Sequence, residues 1–363
     1  MTKNYTCLLG LLLFIFTLSS CKQDDNYIAI KPAQISPVNL NLNSVPYETL
    51  SEYNFFDGDM TGLKPVYGVL PYKIISGLFI DYAKAKTFVW MPKNSKANYV
   101  NDYSVFNFPE GTVLITTHYF ENVLPNNNTK MIETRLLIKK EGEWIMANYK
   151  WNEDQTEASF TTEGSFIGVT WLENNETRTV NYKIPTYDEC FTCHNKYDEI
   201  LPIGPKPQNL NHSISFNDGV KNQLDKWAEF GYLDSDYPSN IDAVINWADV
   251  SQPLGMRVRS YLDINCAHCH SDKGYCEYAP LRFAFNETED ISNMGVCVNP
   301  SFDVDESITR IVAPGEPSKS AMLFRISSTL DEVKMPIIGR TLQHKEGVEL
   351  IKEWINSLEK TCQ

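Results

Sequence analysis

The sequence predicts an α+β chain of several domains, an N-terminal β-sandwich followed by a helical region. Three observations carry this. Between residues 47 and 187, short runs of Val, Ile, Thr, Tyr, Phe and Trp alternate with turn residues. Beyond Cys190 the apolar spacing lengthens to that of helices. Ahead of both lies an apolar leader unlike anything later in the chain.

The leader opens with Lys3 and an almost purely apolar run from Cys7 to Leu18. That suits a signal-peptide core over residues 1–20 and is too short to span a bilayer, which takes about 20 residues. Leu18-Ser19-Ser20-Cys21 resembles the lipobox of bacterial lipoproteins, which makes Cys21 the lipidated first residue of the mature chain and its membrane anchor. Lys22-Gln23-Asp24-Asp25 resembles export signals of surface lipoproteins and equally suits a solvated tether. Residues 21–46, with Pro32, Pro37 and Pro46, read as a linker. The expected location is the cell envelope, at the outer membrane, facing the periplasm or the cell surface.

Residues 47–187 form the β domain. Its strands are expected at 87–91, 111–120, 131–138, 144–151, 166–172 and 177–184, with hairpin turns at Gly142 and at Glu173-Asn174-Asn175-Glu176. Residues 188–250 form a second segment, in which Val220, Leu224, Trp227 and Ala228 mark a helical face ended by Gly231. Residues 251–363 form a third. There Leu254, Val258, Tyr261, Leu262 and Ile264 lead a helix into Cys266, and Val348, Ile351, Trp354, Ile355 and Leu358 mark a closing helix.

The chemistry sits in two copies of Cys-x-x-Cys-His, Cys190-Phe191-Thr192-Cys193-His194 and Cys266-Ala267-His268-Cys269-His270. Two thiols with two residues between them can add to the two vinyl groups of one haem, and the following histidine then meets the iron as its proximal ligand. Two covalently bound haem c groups are therefore expected. Zinc and thiol redox are the competing readings. Paired Cys-x-x-Cys zinc units usually lie about 15–20 residues apart and need no histidine after each pair, whereas Cys266 follows His194 by 72 positions. A redox Cys-x-x-Cys would sit in a βαβ setting.

Met335, before Pro336 and ahead of the closing helix, is placed to be the second axial ligand of the later haem. A helix into the motif, a loop-rich stretch, Met-Pro and a last helix look like the small helical cytochrome c fold, so the region is expected to be cytochrome c-like and dihaem. Candidate sixth ligands of the first haem are His212, Met256, His118 and Met146. His268 reads as a non-ligand. Cys276 and Cys297 are expected to pair as a disulfide in an oxidising compartment, and Cys362 is given no role.

The chain resembles a family of bacterial cell-envelope dihaem c-type cytochromes with an N-terminal β domain. The resemblance spans nearly the whole mature chain. It is carried by Ile132-Glu133-Thr134-Arg135-Leu136-Leu137, Tyr149-Lys150-Trp151-Asn152-Glu153 and Pro202-Ile203-Gly204-Pro205-Lys206. Asn222-Gln223-Leu224, Tyr261-Leu262-Asp263-Ile264-Asn265, Pro314-Gly315-Glu316-Pro317 and Met335-Pro336 continue it. It implies two haems and electron transfer, and names no substrate. Where family members show Met-Met-Pro, this chain has Lys334-Met335-Pro336, leaving Met335 as the ligand.

The 32 Lys and Arg against 46 Asp and Glu give −14, and loss of Lys3 with the leader makes −15. This excludes nucleic acid as a natural partner and suits a redox partner protein with a basic docking surface. The expected function is a membrane-anchored dihaem carrier of single electrons in the cell envelope. The alternatives are a haem oxidoreductase whose first haem is an open catalytic site fed by the second, and a binding module with accessory haems. No Ser-His-Asp, P-loop or His-Glu-x-x-His pattern supports hydrolysis or phosphoryl transfer.

Overall fold

The β-branched and aromatic runs become strands, most of them a residue or more longer than the sequence suggests. They are β1 (Leu70–Tyr72), β2 (Lys84–Trp90), β3 (Val113–Val123), β4 (Asn128–Lys140), β5 (Glu143–Trp151), β6 (Ala158–Thr161), β7 (Ser165–Glu173) and β8 (Glu176–Ile184). The structure, a computed structural model, describes residues 34–302, 305–359 and 362. Both hairpin turns fall where expected. Glu141 and Gly142 have φ of 56° and 81°, and Asn174 and Asn175 have 52° and 65°, the left-handed pairs that two-residue hairpins require.

The β-sandwich expectation is corrected. The strands form one antiparallel sheet of 8, with β1 to β6 in chain order and the β7–β8 hairpin joined to β3 through Val123 opposite Trp171. The cause lies in β3. Its register shifts between His118 and Tyr119 and again between Phe120 and Val123. Such bulges bend a strand, so β7–β8 continues the sheet around the bend. Alternation then buries both faces. Phe88, Trp90, Val113 and Ile115 pack with Leu50, Tyr53 and Phe55 on one side, while Val89, Met91 and Leu114 pack with Leu224 and Trp227 on the other.

The described part of the expected linker, residues 34–46, is tied to the core. Ser36 Oγ accepts from Trp90 Nε1 at 3.0 Å and Val45 is buried in the first core. Residues 1–20 and Cys21, the expected signal and lipidation site, lie outside the described residues. Among those described, no helix is long and apolar enough to cross a membrane.

The rest of the chain carries α1 (Tyr187–His194), α2 (Pro207–Leu210), α3 (Gln223–Phe230), α4 (Leu254–Asn265), α5 (Ala321–Ser327) and α6 (Lys345–Ser357). Two small hairpins, β9–β10 (Asn195–Lys196, Glu199–Ile200) and β11–β12 (Ser213–Phe216, Gly219–Asn222), lie between α1 and α3. The expected helical cytochrome c-like region is not present. The molecule is mostly β, 27% strand against 19% helix, and the described part of 266–316 holds no helix. Its Gly, Pro, Asn, Asp and Ser residues satisfy the backbone through turns instead. The two expected helices around it do form and pack together: Val258, Tyr261 and Leu262 of α4 share a core with Leu350, Ile351, Trp354 and Ile355 of α6. Gly347 makes their close approach possible, because a Cβ there would stand 2.2 Å from Tyr261 Oη.

The disulfide is also corrected. Cys297 pairs with Cys362, Cα–Cα 5.3 Å, and Cys276 is a buried free thiol. Cys276 is held elsewhere by its own backbone, its N–H donating to Cys269 O at 3.0 Å.

Candidate functional site

The first motif lies on α1, a helix that the sequence reading did not anticipate. Thr186 Oγ1 accepts from Glu189 N–H at 3.2 Å and Glu189 Oε2 accepts from Thr186 N–H at 3.0 Å, a capping box. The Thr-x-x-Glu spacing is legible in the sequence and is the signal that finds this helix. At its end His194 and Leu201 exchange two bonds. Leu201 N–H donates to His194 O at 2.8 Å, and His194 Nδ1–H donates to Leu201 O at 2.7 Å. A carbonyl only accepts, so the proton is on Nδ1 and the Nε2 lone pair is free for a metal. Burial lowers the His194 pKa, favouring that neutral ring.

Cys190 and His194 line a cavity of about 920 Å³, at the upper end of the roughly 300–1,000 Å³ of pockets that enclose a ligand. Its opposite wall is one face of the sheet. Leu114, Thr116 and His118 of β3 stand beside Arg135 and Leu137 of β4 and Met146 and Asn148 of β5. His212 lines it as well and is held by Gln223 Nε2 at 3.1 Å. Three of the four candidate sixth ligands, His118, Met146 and His212, therefore share one cavity with His194. Met256 is not among its lining residues, and its sulfur accepts from Arg259 at 3.5 Å.

Behind the cavity-lining Arg135 and His118 lies a buried carboxylate that the sequence does not single out. Glu133 accepts from Tyr182 Oη at 2.6 Å and from Arg135 Nη2 at 2.5 Å, with His118 Nδ1 3.6 Å away. Burial pushes the Glu133 carboxyl up, but the Arg135 guanidinium and the hydrogen bonds from Arg135 and Tyr182 outweigh it and hold the pKa below the ordinary range. Burial takes His118 down to about 3, so it is a neutral imidazole. Asn148 and Arg135 line the cavity, and Asn148 Oδ1 and Nδ2 and Arg135 Nε are buried without hydrogen-bond partners.

The second motif follows α4 directly, with His270 N–H donating to Cys266 O at 2.9 Å. Cys266, His270, Met335, Met322 and Arg340 line one pocket of about 130 Å³. The structure thus brings Met335 to the second motif. Phe283 packs edge-on to His270, centroids 5.0 Å apart. Burial lowers the His270 pKa to about 4 and raises that of the Cys266 thiol to about 12. The first cavity, at about 920 Å³, has room for a group of cofactor size, and the second pocket, at about 130 Å³, does not.

The two motifs meet. One ligand atom each from Cys193, His268 and Cys269 lies within 4.8 Å of the others, Cys269 Sγ is 3.9 Å from Thr192 O, and Tyr197 N–H donates to Lys273 O at 3.3 Å. A hydrogen bond from Cys269 lowers the pKa of the Cys193 thiol. This soft-ligand group is also a set of the kind that zinc takes.

No family model, curated protein or solved structure matches this chain.

Proposed function

We propose that the chain is a dihaem c-type electron-transfer protein of the cell envelope, with one haem held by Cys190, Cys193 and His194 and one by Cys266, Cys269, His270 and Met335. The observation that carries this reading is the His194–Leu201 bond beside the 920 Å³ cavity. It presents an imidazole Nε2 to a space of cofactor size, next to a thiol at the spacing that thioether attachment requires. Each bound haem supplies one iron that cycles between ferric and ferrous. The protein's part is to orient two imidazoles, present Met335, exclude water from the ring faces and bring the sites together where Cys193 meets Cys269.

Supporting the envelope location are the leader and Cys21, the proposed lipid anchor, and supporting a basic redox partner is the acidic balance of the chain. The resemblance to the dihaem cytochrome family belongs to the same proposal. The alternative, an oxidoreductase with an open first site, is favoured by the cavity's size and its unpaired Asn148 amide. Redox titration with optical and EPR detection tests both. Two low-spin six-coordinate haems are expected of a carrier, and a high-spin first haem that binds carbon monoxide would replace the carrier reading with the oxidoreductase.

A further inference from the structure

Arg340 is 4% exposed and lines the pocket shared by Cys266, His270 and Met335. Buried guanidinium groups ordinarily meet a carboxylate, yet Arg340 spends its donors on backbone carbonyls. Nε and Nη2 both donate to Met335 O, at 3.0 and 2.8 Å, Nη2 also donates to Ser328 O at 2.7 Å, and Nη1 donates to Leu342 O at 3.0 Å. Ser328 caps α5, whose last carbonyls have no intrahelical donors and carry the negative end of the helix dipole. A cation there satisfies the helix end and the Met335 loop at once. The loop's N-terminal side is tied to the same place, Met335 N–H donating to Arg325 O at 3.0 Å.

Asp81 holds Arg340's own segment from the other side. It is 2% exposed, and its carboxylate accepts from Thr341 N–H at 2.8 Å, Thr341 Oγ1–H at 2.9 Å and Leu342 N–H at 2.8 Å. The neighbouring residues Leu78 and Ile80 line the first cavity. One short chain of contacts therefore runs from the first cavity through Asp81 and Arg340 to the backbone of Met335.

We infer that Arg340 is a positioning residue that holds Met335 against the second site, with Asp81 fixing the segment that carries it. This rests on the dihaem reading above and adds a consequence for potential. A cation kept in the pocket wall favours the ferrous state of the iron beside it and moves that site's potential positive.

The test uses the full-length chain and its variants Arg340→Gln, Arg340→Lys and Asp81→Asn, with three readouts: haems retained per chain, the methionine–ferric charge-transfer band with the midpoint potentials, and amide hydrogen exchange of the 329–342 segment. Arg340→Gln is expected to keep two haems, lose most of the charge-transfer band, move one potential negative and leave the other in place, and raise exchange in 329–342 at least tenfold. Arg340→Lys keeps the charge without the fork, so it is expected to recover much of the potential while the loop still exchanges faster. Asp81→Asn is expected to speed exchange in the same segment. If Arg340→Gln fails to fold, the Arg340→Lys and Asp81→Asn results decide. Unchanged exchange and an intact methionine band in the variants would overturn the positioning role. A wild-type chain without haem would overturn the dihaem reading, and the ligand role of Met335 with it, while the exchange result would still decide whether Arg340 holds the loop.

Discussion

Cys193 and Cys269, 76 positions apart in the sequence, lie side by side, with His268 against both. On the dihaem reading proposed above, thiols that meet in this way would make the two sites neighbours and give an electron a short route between them. Serine at Cys190 and Cys193 is expected to leave one covalent haem per chain, and serine at Cys266 and Cys269 to leave the other, as read by denatured intact mass. EPR of the oxidised wild type is expected to show mutual perturbation of the two ferric signals. Each single-site protein is expected to give one plain signal, and a wild-type spectrum equal to the sum of the two would refute the proximity.

Met335→Ala removes the thioether that shares a pocket with His270. Loss of the methionine–ferric band and a negative shift of one potential are expected, because methionine–histidine ligation raises potential. Spectra that are unchanged would show that Met335 is only a core residue.

His344 is nearly buried, stacks on Phe79 with centroids 4.1 Å apart and meets Tyr261 Oη at 3.1 Å. Burial lowers its pKa to about 4. The folded chain therefore holds this ring neutral while the unfolded chain protonates it below about pH 6.5. Stability from this residue is complete above that pH and is lost as pH falls toward 4, by about 3 kcal/mol at most. Urea unfolding near pH 7 and near pH 4.5 is expected to show a shallower loss in His344→Gln than in the wild type. Equal losses would contradict a neutral His344.

Much of the fold was legible because its signals are local. The six strands, both hairpin turns and the helices ending at Gly231 and Cys266 follow from periodicity and turn chemistry within a few residues. What escaped depends on distant partners. Alternation in Phe88–Met91 shows that both faces are buried, but it cannot tell a second sheet from covering loops. Helix α1 is legible in Thr186 and Glu189, the capping pair that directly follows the strand. The two Cys-x-x-Cys-His motifs are plain from spacing, whereas Arg135, Asn148 and Arg340 come to notice only once the sheet and the Met335 loop bring them to the cavities. An oxidising compartment suggested a bridge between Cys276 and Cys297, and only the fold reveals Cys362 as the partner of Cys297.

Gly347→Ala places a methyl where Tyr261 Oη lies 2.2 Å and Cζ 2.5 Å away. α4 and α6 have to separate or the tyrosine has to leave its place, at a cost of about 1–3 kcal/mol. A lower thermal midpoint is expected, and a midpoint equal to the wild type would show that the helices tolerate the spacing.

Cys362→Ser opens the bridge to Cys297 across a separation of 65 residues, a loss of about 2–4 kcal/mol. Non-reducing peptide mapping is expected to find Cys297 joined to Cys362. A peptide joining Cys276 to Cys297 would contradict the bridge described.

The most direct measurement is the intact mass of the denatured, full-length mature protein made in a host that attaches haem, with metal content read in parallel. Two haems retained per chain after denaturation, and no stoichiometric zinc, is the result expected. An unmodified mass with one zinc per chain would contradict it and assign Cys193, His268 and Cys269 to a metal ion instead.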